Sequence, residues 1–159
     1  MAASTTKKTL IRRFDRESLQ GYVNPQAYLQ TNGIEFLTPA GAILLVPYTE
    51  VKTVIFVRDF ESGAESAKVF LTRPKMDGLW VRMTFRDGDV MDGILPNNPV
   101  QWERQGYSVT PPEPYSNNQK LFVPREALSS MSVLGVVGSP LTRTRKSKVD
   151  MKNQPTLFD

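Results

Sequence analysis

The chain has 159 residues, 40% of them apolar and 23% charged, an ordinary globular composition that fits one medium domain or two very small ones. It has neither Cys nor His, which removes disulfides, thiol nucleophiles, imidazole acid–base catalysis and the usual zinc or iron ligand sets. Residues 139–159 carry five Lys/Arg against two Asp, which leaves only +1 of the net +4 for residues 1–138, so we expect a near-neutral body with basic ends rather than a basic groove.

Residues 1–8 read as a flexible start. "MAASTTKK" lacks the apolar stretch of a secretion signal, and no run reaches the roughly 18–20 apolar residues of a membrane span. A cytoplasmic home with no membrane partner is the expectation. Residues 9–58 read as β: "TLIRRFDRESLQGYV" (9–23), "GIEFLTP" (33–39) and "LLVPYTEVKTVIFV" (44–57). A basic cluster, Lys7, Lys8, Arg12, Arg13 and Arg16, opens this stretch. Residues 59–78 read as a linker with a short extended piece at Lys68–Thr72.

Residues 79–138 repeat the first pattern. "LWVRMTFRDGDVMDGIL" (79–95), "GYSVTPP" (106–112) and "LFVPREALSSMSVLGV" (121–136) set Phe85 against Phe14, Gly93 against Gly21 and Gly106 against Gly33. Val109 answers Phe36, and Val123-Pro124 answers Val46-Pro47. At that last offset of 77, Leu128, Met131 and Val133 answer Val51, Val54 and Phe56. Asp87-Gly88 is a hairpin-turn pair, and Gly93 marks a bend in the returning strand. The Val-Pro steps belong at strand ends or edges, because Pro donates no ladder hydrogen bond. A short 3₁₀ turn is expected before each closing strand. Residues 139–159 lose the hydrophobic pattern and read as a disordered basic tail.

Five short strands per unit, a bent second strand and a turn before the last resemble the Sm-like small β-barrel family. The resemblance implies an all-β fold: two tandem bent barrels, packed together because units of some 50 residues are marginal alone. The wording of the second unit also looks like an uncharacterised bacterial family of small β domains, which implies a fold and no activity. RNA is the usual ligand that Sm-like analogy implies.

The pointed functional signal is "QPTLF", residues 154–158. It resembles the bacterial sliding-clamp-binding motif, a Gln followed by two variable residues and then Leu-Phe. That resemblance implies that Leu157 and Phe158 fill an apolar pocket and Gln154 offers its amide to a polar subsite. Pro155 departs from the Leu commonly found after the Gln. "RTRKSK" (143–148) supplies Arg143, Arg145, Lys146 and Lys148, either as a phosphate-contacting arm for DNA or RNA or as a solubilising linker. No catalytic residue, metal ligand or cofactor site is assigned, so the expectation is a non-enzymatic protein.

Weaker signals read as structure. Arg12, Arg16, Ser18 and Gly21 faintly resemble the cyclic di-GMP motif of PilZ domains. The acid or Asn two before Ser18 is missing and the two halves are too close, so a charged hairpin is expected. Asp87, Asp89 and Asp92 do not match a calcium loop; Asp87 serves the turn, and the other two are expected on a solvent-facing strand. Trp80, Trp102, Tyr107 and Tyr115 could stack bases, but in so small a fold they are expected to pack.

Overall fold

The computed structural model describes residues 6–61, 69–70, 72–112 and 118–138. It is all-β and antiparallel. The strands are β1 (Lys7–Arg13), β2 (Ser18–Val23), β3 (Gly33–Leu37), β4 (Ile43–Pro47), β5 (Val51–Val57), β6 (Gly78–Phe85), β7 (Val90–Leu95), β8 (Gly106–Val109), β9 (Asn118–Pro124) and β10 (Leu128–Val137). The expected 3₁₀ turns stand at Tyr48–Glu50 and Arg125–Ala127, each between a strand ending in Pro and a closing strand. The extended piece expected at Lys68–Thr72 falls partly outside the described residues, as does the whole tail from 139 onward.

Seven strands form one sheet, in the order β4-β3-β2-β1-β5-β9-β8, and three form a second, β10-β6-β7. The two are joined where Ile94 and Thr110 exchange backbone hydrogen bonds of 3.0 Å each. β4 and β10 are left as the two ends of this continuous order, so the sheets do not close into a barrel. Nor do they divide at the boundary of the two sequence units, because β8 and β9 pair into the sheet of the first.

The internal repeat is written in the register. Ile11 faces Val54 and Leu19 in the first unit, as Met83 faces Met131 and Met91 in the second. Tyr22–Leu37, the one pair joining β2 to β3, corresponds to the Ile94–Thr110 bridge. Even the bulges agree: the shift at Arg12/Arg13 matches that at Leu128/Ser130 on the equivalent ladder. Matching Phe14 to Phe85 is one residue out. Arg13 and Phe85 hold the same place, each donating its backbone N–H across its hairpin turn, to Glu17 O and Asp89 O (3.0 and 2.8 Å). Phe14 corresponds to Arg86. The two hairpin turns have equal length, so the offset of 72 set by Gly21 and Gly93 runs back through them unchanged. In the first turn Arg16 takes the left-handed conformation (φ 74°) that Gly88 takes in the second (φ 97°). The sequence hides this turn because Gly is the usual sign of positive φ.

Two cores result, sharing one wall. Ile11, Val51 and Val54 join Tyr28, Ile34 and Phe36 in the first core, which Phe122 of β9 completes. Leu10, Ile55 and Val57 point the other way, into the second core with Val81, Met83 and Leu121. Alternation along β1, β5 and β9 therefore feeds both cores, which explains why "VIFV" and "LFV" are continuous apolar runs.

The bend of each second strand needs a Gly. A Cβ at Gly93 would lie 2.0 Å from Val109 Cγ1, and one at Gly21 would lie 2.4 Å from Leu37 O and from the Phe36 ring. Gly93→Ala is expected to destabilise the protein by about 1–3 kcal/mol through overpacking, read as a lower urea midpoint. Gly135→Ala, whose Cβ would meet nothing nearer than Arg73 Nη1 at 3.8 Å, should leave that midpoint in place.

Candidate functional site at the seam between the repeats

The two equivalent hairpin turns, Asp15-Arg16 and Asp87-Gly88, come together around Lys52 of β5. Lys52 Nζ pairs with Asp87 (2.8 Å) and with Asp89 of the second unit. It also lies 5.2 Å from the Phe85 ring centre and 5.9 Å from that of Phe14. Arg86 stacks its guanidinium 4.0 Å from the Phe14 ring centre. It donates to the carbonyls of Thr49 and Glu126, which hold equivalent places in the two 3₁₀ turns. One arginine thus ties the same feature of both units.

Between the turns lies a cleft of about 320 Å³, with Phe14 at its apolar wall. Its cations are Arg12, Arg13, Arg16 and Lys52; its carboxylates are Glu17, Asp87 and Asp89. Arg13 is further paired to Asp15 at 2.9 Å. Burial works against the Lys52 charge, but the hydrogen bonds and the field of Asp87 and Asp89 outweigh it and raise its pKa above the ordinary value. The hydrogen bond from Lys52 in turn holds Asp87 below the usual carboxylate range, against a smaller opposing effect of burial. Four cations against three carboxylates leave little net potential for a polyphosphate. The cleft suits a small ligand carrying both donors and acceptors.

Asp92 is not on a solvent-facing surface, as the alternation of β7 had suggested; it is fully buried. It accepts from Arg82 Nε (2.7 Å) and Nη2 (3.0 Å), from Trp80 Nε1 (3.3 Å) and from the backbone N–H of Phe70 (3.1 Å). Burial pushes its pKa up, but the donors from Arg82, Phe70 and Trp80 prevail and hold it below the ordinary carboxylate value. Its role is to fasten residue 70 to the second sheet. No local sequence signal marks this role, because the partners lie on a neighbouring strand and in the linker.

Trp80, held by Asp92, also meets Phe70 edge-on. Trp102 donates to Pro96 O (2.9 Å) and meets Tyr107 edge-on at 5.8 Å. Arg125 covers the Tyr107 ring and donates to its hydroxyl at 2.7 Å. These three aromatics are engaged in packing; Tyr115 lies outside the described residues. So do Gln154, Leu157 and Phe158, and the basic residues Arg143, Arg145, Lys146 and Lys148. Among the described residues no group of three or more carboxylates is placed to hold a metal ion. No described helix is long and apolar enough to cross a membrane.

Residues 5–135 match a single family along their whole length, covering both repeats and the seam between them. The chain belongs to DUF6982, a family of unknown function. No curated protein and no solved structure matches the chain. The DUF6982 segment ends before the basic run and the QPTLF peptide, so the matched family covers the seam and not the terminal motif.

Asp87 and Asp92 have lowered folded-state pKa values, so each contributes stability above about pH 4 that is lost as pH falls through its folded value. Asp92→Asn should therefore flatten the acid limb of stability against pH, followed as urea midpoints from pH 6 to pH 2. Lys52→Met should move the Asp87 carboxyl titration upward, read by carbon-13 NMR.

Proposed function

We propose that this protein is a non-enzymatic adaptor of bacterial DNA replication or repair, recruited to the sliding clamp by its QPTLF peptide. The observation that carries the reading is the sequence Gln154-Pro155-Thr156-Leu157-Phe158. Leu157 and Phe158 anchor in an apolar pocket of the clamp and Gln154 fixes the register, while Pro155 limits the conformational entropy lost on docking. The body is the cargo: two Sm-like repeats, a reading supported by the shared order of the fourth, third, second, first and fifth strands in each half. The adaptor works in the cytoplasm and needs no cofactor.

The runner-up is an Sm-like RNA-binding module, with the basic residues 143–148 as an accessory arm for DNA or RNA. The charge-matched cleft speaks against a phosphate-binding body. Nucleic-acid binding with steep salt dependence that survives removal of residues 139–159 would favour this second reading.

The test is titration of the full chain against a purified bacterial sliding clamp. Binding of micromolar or better affinity is expected, lost in Leu157→Ala/Phe158→Ala. No binding by the unaltered chain, or equal binding by the double variant, overturns the adaptor reading.

A further inference from the structure

The joint between the two repeats is a strand pair. β5 closes the first repeat and β9 is the fourth strand of the second; they pair antiparallel with Val54 opposite Phe122, Ile55 opposite Leu121 and Phe56 opposite Lys120. Each repeat therefore has one edge that receives and one that is received. The first repeat uses its closing strand, and the second uses its fourth. Their counterparts, β10 and β4, are the two ends of the strand order: β10 pairs with β6 and β4 with β3, and the other edge of each carries no partner strand among the described residues.

These two edges are apolar at most of the positions where the internal joint is apolar, Ser132 in the place of Ile55 being the exception. At the offset of 77, Leu44 and Leu45 stand for Leu121 and Phe122, and Leu134 stands for Val57. Leu121, Phe122 and Val57 are at most 4% exposed, whereas Leu44, Leu45 and Leu134 are 42%, 51% and 41% exposed. Ile43 and Val133, which would face each other, are more exposed still. Six of the eight exposed large apolar side chains among the described residues lie on these two strands: three on β4 and three on β10. Neither strand carries a charged residue, the commonest device that keeps a free edge single. Arg73 donates to Val136 O at 2.7 Å and so covers β10 only beyond the stretch that would pair.

We propose that β10 of one copy of this chain adds antiparallel to β4 of the next, repeating between molecules the joint that β5 and β9 make within one. The register places Met131 opposite Leu45, Ser132 opposite Leu44 and Val133 opposite Ile43. The contact is heterologous, so it builds head-to-tail assemblies rather than a two-fold dimer. It rests on the fold alone and does not depend on the adaptor reading.

The full chain is examined by light scattering and sedimentation from about 1 to 100 µM, a range chosen for interfaces of modest size. The mass should rise with concentration above the monomer's 17.9 kDa. Ile43→Lys/Leu45→Lys blocks β4, and Val133→Lys/Leu134→Lys blocks β10; all four side chains point to solvent, so folding should survive and is checked by circular dichroism. Each variant alone should stay monomeric, and the two mixed should form a one-to-one dimer through the remaining β10 and β4 edges. A monomeric unaltered chain, or a single blocked variant that still dimerises, overturns the proposal. Should the lysine variants fail to fold, Ile43→Cys and Val133→Cys provide the second test. The chain has no native Cys, so oxidation of their mixture should yield the mixed disulfide in excess over either homodimer. Absence of that excess overturns the pairing equally.

Discussion

The fold depends on a wall shared by two cores. β1, β5 and β9 lie side by side, and the pleat sends alternate side chains to opposite faces. Ile11, Val54 and Phe122 go to one core; Leu10, Ile55 and Leu121 go to the other. Neither unit of some 50 residues owns a full set of walls. Burying the wall on both faces is how a short duplicated sequence reaches the apolar burial that either half lacks.

That wall also fixes the polar features. Because β5 is committed on both faces, Lys52 emerges at the strand's start, where the hairpin of the second repeat turns back, and meets Asp87 and Asp89. Arg86 then reaches carbonyls in both 3₁₀ turns. These contacts cross the seam and hold its angle, while Asp92 fastens the linker to the far sheet. Their geometry is that of a stitched joint, and the cleft beside it follows from the two charged hairpins lying together.

The strands were legible because each carries its own local signal. Val-Pro marked the ends of β4 and β9, Asp87-Gly88 marked a hairpin, and the offset of 77 made β10 the equivalent of β5. The failures have physical reasons. Arg16 adopts a conformation that its side chain does not advertise. Phe14 and Phe85 share a residue type but not a place, because the two hairpin turns have equal length and carry the offset of 72 back to Arg13 and Phe85. The burial of Asp92 is not legible locally, because it is decided by Arg82, Trp80 and residue 70, none of them its sequence neighbours. The exchange of β9 into the first sheet is a tertiary choice, and no residue of β9 encodes it alone. The terminal peptide was legible only as a motif, and the described structure does not reach it.

The shared wall sets an order of assembly during synthesis. The first core needs Phe122, which the ribosome adds 65 residues after Val57. At about 5–20 residues per second that interval is roughly 3–13 s. Until β9 is made, one edge of β5 has no partner strand and the core around Ile55 and Val57 lacks Leu121 and Val123. A newly made first half is thus a sticky intermediate by construction. Its natural remedy is the second half of the same chain, whose nearness through the linker gives it an advantage over any neighbouring chain.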